Sequence, residues 1–130
     1  MTIELYVLGW AVLLAALQLV LYAAPANRAL GVDYTMGPRD EQKPLPAEVA
    51  RLKRAFDNHI EGLVLHAAAT LLVVLGDAVS ILTHLCALAY LAARILYVPA
   101  YAYGWTPWRS VIWGVGFLAT LLMTLAGLFL

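Results

Sequence analysis

The chain has 130 residues, of which 64% are hydrophobic and 12% charged, with a mean hydropathy of +0.84. A soluble domain carries about 45–50% apolar and about 25% charged residues, and a soluble chain this short has no interior large enough to hide the excess; the same numbers exclude disorder, collagen and coiled coil. A single cysteine, Cys86, excludes a disulfide scaffold and cysteine-ligated metal centres, and eight basic side chains against eight acidic ones leave no field to attract nucleic acid. What remains is a multi-pass membrane protein with a single domain over residues 1–130.

Taken in chain order, the apolar runs are Ile3–Ala24, His59–Gly76, Ala78–Tyr103 and Val111–Leu130, with lengths of 22, 18, 26 and 20 residues. A bilayer core needs roughly 20 apolar residues per helix. None of the runs alternates as a barrel strand does. The pattern predicts an all-α protein, a bundle of four antiparallel transmembrane helices over about 3–26, 47–76, 78–103 and 108–130. The first run lacks a basic leader and exceeds the apolar core of a signal peptide, so it is expected to be a retained helix.

Between the first two spans, 27–46 reads as loop, with Gly31, Gly37, Pro38, Pro44 and Pro46 as breakers. From Ala47 the pattern turns helical, with Pro46 just before its start. Six of the eight basic residues lie between the first and second apolar runs, and Arg109 lies between the third and fourth. The positive-inside rule places both of these connections in the cytoplasm and both termini outside it.

Ionisable residues inside spans are functional candidates by default. On the second helix Arg54, Asn58 and Glu61 are spaced 4 and 3 apart and share one face, which Arg51 extends upstream. A guanidinium, an amide and a carboxylate in line suit a zwitterionic or peptide-like ligand. Arg51, Lys53 and Asp57 read more simply as solvated charges at a helix start. On the third helix Arg94, Tyr97 and Tyr101 share a face in the same way. Arg94 needs a partner in the bilayer, and Glu61 is expected to supply it; the alternative is that the pair merely sets bundle register.

The connection Gly104-Trp105-Thr106-Pro107-Trp108-Arg109-Ser110 places Arg109 and Ser110 at the first turn of the fourth helix, where free N–H donors favour an anion. Trp105, Trp108 and Trp113 read as an aromatic belt. His66 and His84 differ by about 6 Å in depth, which argues against paired haem ligands, and His59 with Glu61 has no metal-binding spacing. No metal site is expected. Cys86 reads as a packing residue, and Gly114 and Gly116 as points of close helix approach. Glu4 stands at the edge of its span.

Arg54-Ala55-x-x-Asn58-x-x-Glu61 resembles the second-helix signature of the MAPEG superfamily, the membrane-associated proteins of eicosanoid and glutathione metabolism. Tyr90-Leu91-Ala92-Ala93-Arg94-Ile95-Leu96-Tyr97 with Tyr101 resembles its third helix, and Pro107-x-Arg109-Ser110 the start of its fourth, most closely in the prostaglandin E synthase branch. The resemblance covers almost the whole chain. It implies a MAPEG-like homotrimer binding glutathione between subunits near the cytoplasmic ends of the helices. Arg54, Asn58 and Glu61 would hold the tripeptide, with Arg94, Tyr97 and Tyr101 lining the site. Arg109 and Ser110 would face the thiol, and Arg28 would match a further family arginine. Departures from the pattern are Val64 where many members have proline, Gly62 where several have a large residue, and Asp57 where one branch has a basic residue.

The implied activity is a transferase or peroxidase reaction, in which the glutathione thiolate attacks a lipophilic electrophile or hydroperoxide arriving from the bilayer. A non-catalytic MAPEG-fold protein binding lipid or a protein partner is the alternative, favoured by Gly62, Val64 and Asp57. A small transporter is a third reading, disfavoured because no span is interrupted and no unpartnered carboxylate is expected at mid-depth.

Overall fold

The apolar runs become long helices, because a backbone in lipid must satisfy its own hydrogen bonds. The computed structural model describes residues 1–130. It contains α1 (Ile3–Leu30), the short α2 (Val32–Met36), α3 (Ala47–Leu75), α4 (Ile81–Ala102) and α5 (Trp108–Phe129), and no strands. The shortest of the four long helices has 22 residues, or about 33 Å at about 1.5 Å per residue, which suffices for a hydrocarbon core about 30 Å thick. All four are long and apolar enough to cross a membrane.

The helix ends differ from the sequence expectation where local chemistry decides. α1 runs through Pro25, which gives up one backbone hydrogen bond and crowds the carbonyl of the preceding turn without ending the helix, and it stops after Leu30 at Gly31, whose φ of 88° breaks it. The expected loop then opens with α2, a single stretch of five residues that is too short to show an apolar period. α4 starts three residues later than expected, at Ile81. Ser80 caps it: the Thr83 amide donates to Ser80 Oγ (3.3 Å) and the Ser80 amide donates to Thr83 Oγ1 (2.8 Å).

α3 and α4 form the middle of the bundle. α1 and α5 each pack on both of them and do not touch one another. The core is Val7, Ala11, Ala69, Val73, Cys86, Ala87, Tyr90, Ala119 and Met123. Its alanines allow close backbone approach, which is how helices associate when lipid is as apolar as leucine. The bulky residues of α1, among them Trp10, Leu13, Leu17 and Val20, point outward instead, as a lipid-facing or subunit-facing surface requires.

Of the two glycines expected at close approaches, Gly116 fits the expectation: a Cβ there would lie 3.6 Å from that of Ala93. Gly114 does not, because nothing lies within 4 Å of its Cβ position; it is two residues, about 200°, around the helix. Gly127 is the tighter contact, with a Cβ position 2.7 Å from Leu72 Cγ. Gly127→Val is therefore expected to cost about 1–3 kcal/mol by overpacking, read as a lower midpoint of thermal unfolding in detergent.

The end of the bundle holding the N-termini of α1 and α4 is fastened by Glu4. This carboxylate stands at the edge of its span, in the first turn of α1 as expected, yet is 0% exposed. Its Oε1 accepts from the Thr83 hydroxyl (2.5 Å) and from His84 Nδ1 (2.8 Å). The first turn of α4 lies against the first turn of α1 and supplies donors that a reading of α1 alone does not include.

Candidate functional site

The other end of the bundle gathers the polar residues. Here α3 and α5 begin and α4 finishes, so the cationic start of α3 meets the tyrosine-rich finish of α4. Tyr97 and Tyr101, one helical turn apart, pack edge to face with centroids 5.6 Å apart. Arg54 of α3 donates from Nε to the Tyr101 hydroxyl (3.1 Å). From the α5 side, the Arg109 guanidinium carbon lies 4.8 Å from the Tyr101 ring centroid, within cation–π range. Tyr101 is thus flanked by guanidiniums from two helices.

One turn deeper, Arg94 is 3% exposed. Its guanidinium carbon sits 4.6 Å from the Tyr97 ring centroid. Nε donates to His59 Nδ1 (3.2 Å) and Nη1 donates to Asn58 Oδ1 (3.0 Å). His59 in turn donates from Nε2 to the Ala11 carbonyl (2.9 Å). One chain of hydrogen bonds therefore ties α1, α3 and α4 together.

The expected Glu61–Arg94 pair does not form. Glu61 is exposed on α3 and makes no salt bridge in the chain, and Arg94 takes Asn58 and His59 instead. Asn58 and His59 lie one turn nearer the site end than Glu61, at the height where the Arg94 side chain ends. Asp57 is compensated within α3 by Lys53, at 2.9 Å and four residues away, so its acidity does not reach the site unpaired.

Two adjoining hollows open between α3 and α5 over this network. The outer, of about 270 Å³, is lined by Asn58, Tyr97, Tyr101, Arg109, Ser110 and Trp113. The inner, of about 140 Å³, runs from Asn58 and Trp113 past Glu61, Gly62, Tyr90 and Arg94 to Leu65, Gly116, Phe117 and Thr120. Of the nine residues singled out in the sequence, seven line these hollows. They are Asn58, Glu61, Arg94, Tyr97, Tyr101, Arg109 and Ser110. Arg54 reaches them through Tyr101. Arg28 stands apart: it is exposed in the last turn of α1, and α1 does not contact α5.

Sequence reasoning missed two participants. His59 carries Arg94, yet lies about 100° around the helix from the Asn58 stripe. Tyr90 forms the inner wall, its ring stacked on that of His66 at a centroid distance of 3.6 Å and an interplanar angle of 2°. His66 Nδ1 donates to Thr120 Oγ1 (3.2 Å), whose hydroxyl donates to the Gly116 carbonyl (3.0 Å). Tyr90 lies four residues before Arg94 and so shares its face, and that periodicity is the available signal; His66 lies off the Asn58 stripe and carries no such signal.

A bundle of four bilayer-length helices with a cationic, tyrosine-lined hollow at one end is the architecture of a multi-pass membrane protein. The model of the MAPEG family matches residues 7–129, nearly the whole chain, and the protein belongs to that family. No curated protein and no solved structure matches the chain. Membership makes it a membrane protein of the eicosanoid and glutathione group.

Proposed function

We propose that the protein binds glutathione in the paired hollows and activates its thiol against a lipophilic electrophile or hydroperoxide, as a glutathione transferase or peroxidase. The observation that carries the reading is the meeting of Arg54 and Arg109 on Tyr101, above Asn58, Arg94 and Tyr97. Three guanidiniums from three helices face a ligand with two carboxylates and a thiol, while Glu61 offers an acceptor for its ammonium.

Chemically, a free thiol has a pKa near 8.5 and only the thiolate attacks. Lowering that by about two units needs roughly 2.7 kcal/mol. A guanidinium about 4 Å away supplies up to about 4 kcal/mol at an effective dielectric of 20. In this reading Arg109 makes the thiolate and the Ser110 hydroxyl hydrogen-bonds it.

Neither hollow alone, at about 270 and about 140 Å³, reaches the roughly 300–1,000 Å³ of a ligand site, and only the two together do. In this reading a homotrimer adds wall from a neighbouring chain, which is also where Arg28 would enter. The basic connections face the cytoplasm, where the glutathione is, and both termini lie on the other side. The lipophilic partner enters from the bilayer between α3 and α5.

Isothermal titration of the purified protein with glutathione tests this, followed by thiolate absorbance of the bound ligand. Binding with a thiolate signal below the normal thiol pKa is expected. No binding at millimolar glutathione overturns the proposal, and binding without a thiolate signal assigns the site to a non-catalytic role.

A further inference from the structure

The floor of the pocket holds a buried cation whose neighbours are all uncharged. Arg94 is 3% exposed within a membrane-spanning helix, where a charge is expected to be paired. Its protein partners are the His59 imidazole and the Asn58 carbonyl oxygen. The two ring nitrogens of His59 are fixed by those partners. Nε2 faces a carbonyl, which only accepts, and so carries the proton; Nδ1 faces an arginine N–H, which only donates, and so presents its lone pair. The ring is neutral in this arrangement, since an imidazolium would turn a second N–H against the guanidinium.

The third guanidinium nitrogen, Nη2, has no protein partner, and neither has the buried Tyr90 hydroxyl. Both residues line the inner hollow. Gly62 stands beside them, its Cβ position 3.9 Å from both Arg94 Nη1 and Tyr90 Oη, and the two unpartnered atoms are themselves enclosed, with almost no exposed surface. The sole carboxylate lining either hollow is Glu61, which makes no salt bridge in the chain.

We infer that His59 is a positioning residue that clamps Arg94 without neutralising it, so that Arg94 Nη2 and the Tyr90 hydroxyl form a donor subsite for a carboxylate of the ligand. A carboxylate at position 59 would hold Arg94 at least as firmly but would use up its charge. The histidine trades a stronger internal pair for an anion-accepting floor. This rests on glutathione being the ligand, and it explains why an arginine is tolerated in the bilayer with only neutral partners.

The test compares charge at constant shape. His59→Asp and His59→Asn are made in the full chain, as are Gly62→Asp and Gly62→Asn, which approach Arg94 from the side of the hollow without touching His59. Glutathione affinity is measured by titration calorimetry and thermal stability by melting in detergent. Each Asp form is expected to bind at least tenfold more weakly than its Asn counterpart, and the His59→Asp protein to melt at or above the temperature of His59→Asn. A purely structural role for His59 predicts that affinity follows stability, so the Asp form would bind as well as the Asn form or better. That result, at either position, overturns the inference while leaving glutathione binding intact. Should one position fail to fold, the other decides. Wild-type protein that binds no glutathione overturns the functional proposal, and the inference with it.

Discussion

Arg109→Ala is expected to raise the pKa of the bound glutathione thiol by about two units and to lower kcat/KM toward a model electrophile by roughly a hundredfold at pH values below the wild-type thiol pKa. The size follows from about 1.36 kcal/mol per pKa unit. The figure of about 4 kcal/mol for one guanidinium at an effective dielectric of 20 is reduced further because Arg109 is half-exposed. The direction follows from charge: removing a cation beside a thiolate favours the thiol, so the activity lost is recovered as pH rises through the new pKa. Arg109→Lys keeps the charge but gives up the flat packing against the Tyr101 ring, 4.8 Å away, and should fall between the two. A pH titration of thiolate absorbance checks both; an Arg109→Ala protein with the wild-type curve removes Arg109 from the mechanism.

Tyr90 gives the largest expected loss of stability. It is 2% exposed, belongs to the core, and stacks on His66. Tyr90→Ala deletes a buried ring between three helices and is expected to cost about 3–5 kcal/mol, the range for aromatic truncation in a close-packed core. Tyr90→Phe preserves the ring and removes a hydroxyl that no protein group satisfies, so its stability is expected within about 1 kcal/mol of wild type. The pair separates packing from polarity. If Tyr90→Phe melts as early as Tyr90→Ala, then the hydroxyl rather than the stack supports the core. The same Tyr90→Phe protein has lost half of the proposed donor subsite, so weaker glutathione binding at preserved stability is the companion result.

What the sequence made legible divides along a physical line. The spans were legible because bilayer thickness acts on one chain segment at a time, and a run such as Val111–Leu130 announces itself by length alone. The faces were legible too: Arg54, Asn58 and Glu61, or Arg94, Tyr97 and Tyr101, follow from 100° per residue. How those faces meet was not. Helical arithmetic gives the angle of Arg94 on α4 but not the rotation of α3 against it, and so Glu61 was chosen over Asn58 and His59, which actually accept its hydrogen bonds. Glu4 illustrates the same limit. Its partners lie 79 and 80 residues away in sequence, and only the packing of α1 on α4 brings them to it. α2 and the extension of α1 from Asn27 to Leu30 escape a sequence reading for a different reason, since both are decided over one or two turns by Gly31.

The two ends of the bundle are built unequally. At one, the Ser80 cap, the Glu4 cluster and the Gly127–Leu72 contact knit the helices with short bonds and tight packing. At the other, α3, α4 and α5 meet through long side chains laid on aromatic rings. Helix spreading is therefore expected to begin where the arginines are rather than where the carboxylate is, read as faster backbone amide exchange in the last turns of α4 than in its first.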